Sequence, residues 1–144
     1  MANIRRDQEY LGIDTNVLVS YLDTSHPDHS KTVWLADRDV ALNPTVIHEA
    51  YHTLVFKMKW KEDEASEVLK EASNDEDNLF INQSLKTCMV GLDMAVEHRL
   101  GGRDALILAN LLTGRISEFI TFDESLLRLK IVKHGKRAVR VRRP

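Results

Sequence analysis

A single cysteine, Cys88, stands among the 144 residues. One thiol excludes an internal disulfide and any metal site built on paired thiolates, and it agrees with a reducing compartment. Long apolar runs are also missing, since none approaches the roughly 20 residues of a membrane span. The N-terminal stretch, with Arg5, Arg6, Asp7 and Glu9, lacks the apolar core of a secretory leader. Internal repeats and low-complexity linkers are absent. These absences predict one cytoplasmic domain over residues 1–144. With 43% hydrophobic content, a chain of this length can bury on the order of 70% of its unfolded surface.

The net charge of -2 hides an asymmetry. Residues 128–144 carry eight Lys or Arg and no acid, which leaves 12 bases against 22 acids in residues 1–127. A basic strip on an acidic body can hold phosphates next to a site that itself repels them. Arg137, Arg140, Arg142 and Arg143 are the densest part of that strip. A solvated tail that only aids solubility is the plainer alternative.

The stretch from Tyr10 to Leu22, YLGIDTNVLVSYL, organises the remainder. An apolar run with the character of a buried strand stops at Asp14, and helical spacing starts after it. In an open α/β sheet the carboxyl ends of the strands border the crevice where ligands bind, so Asp14 faces chemistry there or merely caps the helix. The arrangement recurs at Phe119 to Phe122, FITF, which ends at Asp123 before a short helix containing Leu126, Leu127 and Leu129.

Between these two points the pattern predicts a helix from Asp28 to about Asp37 and a strand at Val40 to Leu42. Thr45 is expected to cap a helix running to about Trp60, followed by an acidic amphipathic helix from Glu62 to Ala72. A third strand is expected at Leu79 to Ile81. The next helix, Thr87 to His98, is expected to bury Leu92, Ala95 and Val96 and to be ended by Gly101 and Gly102. Asp104 then opens a strongly apolar helix, and Ala138 to Val141 is expected as the edge strand. Residues 48–52 read His-Glu-Ala-Tyr-His, the HExxH spacing of zinc proteases, in which His48 and His52 hold the metal and Glu49 is the base. The longer continuation of that motif is absent, because Val55 and Met58 stand where it needs Gly and His. The acidic run NDEDN at residues 74–78 lacks the glycine and spacing of a calcium loop.

Asp14 and Asp123 follow strands, and Glu49 and Asp104 are expected in the first turns of helices. On a parallel sheet all four can converge. Four clustered carboxylates repel, each close pair by up to roughly 4 kcal/mol at a surface-like dielectric, so the cluster calls for a cation or for raised pKa values. Hard oxygen donors without cysteine favour Mg²⁺ or Mn²⁺.

In the order and spacing of IDTNVLV around Asp14, TVIHEAYHTL around Glu49, GGRDALILANLL around Asp104 and TFDESL around Asp123, the chain resembles the PIN-domain ribonucleases, and within them the VapC-type toxins. The resemblance covers about residues 10–141. It implies an α/β fold of three layers, with a mostly parallel central sheet of four to five strands flanked by helices. It further implies Mg²⁺ or Mn²⁺ held by Asp14, Glu49, Asp104 and Asp123 as the catalytic set, with Asn16 and Thr121 as supporting polar positions. RNA would be the substrate, and a homodimer neutralised by an antitoxin the assembly. His48 and His52 are not required by that family. Two enzymatic alternatives fit less of the chain: a zinc protease leaves Asp14, Asp104 and Asp123 idle, and a haloacid-type phosphatase needs an acid where Asn16 stands. An inactive RNA-binding or scaffold module on the same fold is the main rival.

Overall fold

The computed structural model describes residues 10–144. Arg5, Arg6, Asp7 and Glu9, from which the lack of a secretory leader is read, lie outside the described residues. Strand β1 (Leu11–Ile13) and strand β2 (Val40–Leu42) are buried at every position. Burial on both sides is the mark of a parallel sheet covered on each face by helices. Six strands form one sheet in the order β3-β2-β1-β4-β6-β5, with β3 at Leu79–Phe80, β4 at Glu118–Ile120, β5 at Ile131–His134 and β6 at Arg137–Arg142. All neighbours are parallel except β5 and β6.

That order corrects one sequence expectation. The last strand is not at the edge, because it pairs with β4 and leaves the rim to β5. Sequence patterning predicts no strand at β5: Ile131 and Lys133 face solvent and only Val132 is fully buried, so the apolar signal is one residue deep. Gly135, at φ 61, makes the turn between the two strands.

Helix α1 (Thr15–Leu22) follows β1 and helix α3 (Pro44–His52) follows β2. Between them lie a short helix α2 (His29–Thr32) and a 3₁₀ turn, Val33–Asp37. Asn43, not Thr45, caps α3 by accepting from the Val46 amide. The helix then widens into a π turn over Thr53–Lys57. Asp28 makes no capping bond and pairs with Lys31 at 3.1 Å. Helix α4 (Glu62–Asn74) packs against α3.

Helices α5 (Leu85–His98) and α6 (Gly102–Thr113) lie side by side. Nearly every residue of α6 from Ala105 to Leu112 is buried, as expected of a helix pressed between a sheet and a second helix. Two glycines set the spacing: a Cβ on Gly12 would lie 2.7 Å from the Leu111 methyls, and one on Gly91 would lie 3.4 Å from Leu106 Cα. The buried face of α5 is therefore Thr87, Gly91 and Met94. Leu92 and Val96, expected inside, are 57% and 82% exposed, because the close approach of α6 at Gly91 turns the Thr87, Gly91 and Met94 side of α5 inward. Arg99, in the left-handed conformation at φ 56, ends α5 where glycines were expected; Gly101 and Gly102 start α6 instead. A final short helix, α7 (Glu124–Leu127), follows β4. Among the described residues no helix is long and apolar enough to cross a membrane.

Candidate active site

The strand order reverses between β1 and β4, whose carboxyl ends lie together: the Asp14 amide donates to Ile120 O at 2.9 Å. This is the switch point at which open α/β sheets leave a crevice. A cleft of about 450 Å³ opens there, lined by Asp14, Asn16, Glu49, His52, Arg103 and Asp123 among others. A larger cavity of about 660 Å³, between α1 and α4, contains none of the four acids.

Asp14 is only 3% exposed and uses both oxygens. One accepts from the Thr15 amide at 2.8 Å, which caps α1, and the other accepts from the Thr121 hydroxyl at 2.7 Å. Capping and site placement are thus one act. Thr121, fully buried after β4, also accepts from the Asp123 amide at 3.0 Å and so ties the two strand-end acids together. Asp123 caps α7, accepting from the Ser125 amide and hydroxyl at 2.8 and 2.7 Å.

Glu49 lies in the second turn of α3, one turn later than expected. The Thr15 hydroxyl donates to it at 2.7 Å. Asp104 is in the first turn of α6 as expected. Arg103 joins these two acids, one guanidinium nitrogen on Glu49 and the other 2.9 Å from Asp104. Asn16 is exposed at the rim.

Burial pushes the Asp14 carboxyl above its ordinary range, against the pull of Thr121, Thr15 and Arg103. Burial also raises Asp104, and Asp123 and Glu49 add to the rise while Arg103 opposes it. Asp123 goes the other way, held low by its bonds from Ser125. The four acids therefore share one electrostatic field, with Arg103 as the cation inside it.

As placed, no three His, Cys, Asp or Glu side chains among the described residues are gathered closely enough to hold one metal ion. Glu49 and Asp104 close on a guanidinium instead. The donor chemistry still suits a hard divalent ion, since every acid offers carboxylate oxygen and the cluster already accommodates one cation. The HExxH pair does not converge: His52 lines the acid cleft, with its ring 4.9 Å from that of Phe56, whereas His48 lines a groove between α3 and α4. None of the four tail arginines lines the cleft. Arg142 binds Glu118 at 2.8 Å and lies over the Trp34 ring, and Arg143 pairs with Glu124. Arg137 and Arg140 are exposed along β6.

Sequence reasoning missed Thr15 and Arg103. A base in a helix first turn opposes the helix dipole, and that mismatch was the available signal for Arg103.

A PIN-domain family profile matches residues 12–132. No curated protein matches the chain. Among solved structures, the chain is similar to VapC20 of Mycobacterium tuberculosis, a toxin that cleaves the sarcin-ricin loop, with TM-score 0.67 and 15% identity over 79% of this chain and 90% of that one. A toxin-antitoxin complex from Klebsiella pneumoniae gives 0.60 and 20% over 80% and 87%. VapBC2 of Rickettsia felis, bound to a promoter DNA fragment, gives 0.57 and 15% over 79% and 87%. At these identities the structures establish a shared fold, while the profile covers most of the chain: the protein belongs to the PIN-domain family.

Proposed function

We propose that the protein is a divalent-metal-dependent endoribonuclease and the cytoplasmic toxin of a toxin-antitoxin pair. The observation that carries this reading is that Asp14, Glu49 and Asp123 line one cleft at the sheet's switch point, with Asp104 joined to them through Arg103 and the field it shares with Glu49 and Asp123. The toxin and toxin-antitoxin assignments of the similar structures support it. Asp14, Glu49, Asp104 and Asp123 would hold Mg²⁺ or Mn²⁺, which when bound supplies charge stabilisation at the phosphate and acidifies a water. Thr121 and Thr15 fix the carboxylates of Asp14 and Glu49, so the oxygens need little reorganisation. Lys57, on the cleft wall, offers a contact for a phosphate chain, and Arg137, Arg140, Arg142 and Arg143 extend that charge beyond it. Titrating Mg²⁺ and Mn²⁺ into the metal-free protein with an RNA cleavage assay tests the reading, and no cleavage at any metal concentration would refute it.

The partners follow the same reading: an antitoxin covering the cleft, and a second copy of the chain. Of Tyr21, Val33 and Trp34 in the early helices, Tyr21 and Trp34 are half-buried, so the surface that fits a second copy lies elsewhere. It is the outer side of α5, where Leu85, Met89, Leu92 and Val96 form an exposed stripe at coiled-coil spacing. In an antiparallel pair with its own copy, Lys86 and Asp93, each one residue past a stripe position, would share one flank and face Asp93 and Lys86 of the second copy.

One observation favours the non-catalytic module: Glu49 and Asp104 are closed on Arg103. If that closure is permanent, the site takes no metal.

A further inference from the structure

Arg103 is placed against the local preference of its helix and in favour of its tertiary surroundings. It stands in the first turn of α6, where the exposed amides disfavour a cation. Its planar fork is split between carboxylates from two different helices, Glu49 on α3 and Asp104 on α6, 54 and one residue away in sequence. Asp14 and Asp123 feel the same charge. The guanidinium therefore does what a metal ion would do in a cluster of acids, neutralising it from within, and it does so with ligands the metal would need.

The surroundings leave it free to move. Gly101 and Gly102 precede it, and a side chain built on either would meet nothing within 4 Å. The Arg103 side chain itself is nearly half exposed. Glu49 would keep its bond from Thr15 after the guanidinium left, so one carboxylate stays oriented for an incoming ion.

We propose that Arg103 is an exchangeable internal counter-cation: it holds Glu49 and Asp104 in the metal-free protein, and a divalent ion binds only by displacing its guanidinium from both. This rests on the metal-binding reading of the four acids. Ion affinity is then lowered by the fraction of molecules in which the clamp is closed. The metal-free fold is protected from carboxylate repulsion by the same clamp.

Mn²⁺ binding to the full chain, followed by calorimetry, tests this in the wild type, Arg103→Met and Arg103→Lys, with circular dichroism to verify folding. Arg103→Met is expected to bind Mn²⁺ roughly tenfold or more tightly, the factor by which the clamp taxes the wild type. Without metal it is expected to melt at a lower temperature, and Mn²⁺ should restore it. Arg103→Lys keeps the charge but cannot bridge two carboxylates, so it should bind Mn²⁺ clearly more tightly than wild type, and it carries the test if the Met variant does not fold. Wild-type affinity in either variant would overturn the exchange. If the wild type binds Mn²⁺ no better than Asp14→Asn does, the metal-binding reading falls, and the exchange falls with it.

Discussion

At the scale of single residues, the four acids do unequal work. Asp14 is buried, and that burial raises its carboxyl although the bonds from Thr121 and Thr15 and the charge of Arg103 favour the ionised form. Asp14→Asn is expected to lower divalent-dependent RNA cleavage by on the order of 100-fold or more, as for other losses of a preorganised charged group. The metal-free variant should be as stable as wild type or more so, chiefly because a buried charge is removed and, to a smaller extent, because repulsion from Asp104 is relieved. Cleavage kinetics beside urea unfolding in a chelator would check both halves, and full cleavage by a folded variant would remove Asp14 from the site. On α3 the roles predicted by the HExxH spacing invert. Glu49→Gln should lose nearly all activity, while His48→Ala and His52→Ala keep most of it, since the two rings line separate cavities. If both histidine variants instead lose a tightly bound zinc ion together with a peptidase activity, the ribonuclease reading fails.

At the scale of elements, two features rest on local departures from regular structure. The π turn over Thr53–Lys57 adds a residue to the end of α3 and brings Thr53 and Lys57 onto the cleft wall, a placement typical of π turns at functional sites. Just beyond it, the Trp60 indole donates to Asp23 at 3.0 Å, fastening this segment to the end of α1. Burial alone would raise the Asp23 carboxyl, but bonds from Ser25 and Trp60 outweigh it and hold the group low. A depressed folded value means that the stabilisation is complete above the unfolded value near pH ~4 and is lost as the pH falls through the lower folded value. Trp60→Phe should therefore cost about 1–2 kcal/mol at neutral pH and flatten the loss of stability below about pH 4. Urea midpoints across that range measure it, and an unchanged acid slope would mean that the Trp60 bond contributes nothing. The outer stripe of α5 makes a different demand. Leu92→Glu is expected to convert a dimer into a monomer in light scattering. Asp93→Lys should weaken the dimer, and adding Lys86→Glu should restore it. A wild-type monomer at working concentrations would exclude the pairing.

At the scale of the whole molecule, an acidic cleft and a basic last strand sit on one sheet, and the proposed RNA substrate would have to satisfy both. Removing charge at Arg137 and Arg140, which are exposed along β6, should weaken RNA binding and lower its salt slope by about one for each phosphate no longer neutralised. An unchanged slope would leave the strip a purely solubilising role. Arg142 and Arg143, already paired with Glu118 and Glu124, should contribute less. The sequence by itself determined where Asp14 and Asp123 fall relative to strands and helices, because an apolar run broken by an acid is a local pattern that local propensities obey, whereas Glu49 came one turn later than its pattern predicted. It also determined the parallel α/β class, since uninterrupted apolar strands alternating with helical periodicity have few other ways to be buried. What the tertiary structure alone decided depends on partners distant in the chain. The inner face of α5 follows from the fit of Gly91 against α6, which no periodicity of α5 encodes. β5 exists because β6 offers it an edge. Arg103 meets Glu49, 54 residues earlier, because a positive charge in a helix first turn has no favourable helix dipole and is held by the carboxylates brought to meet it.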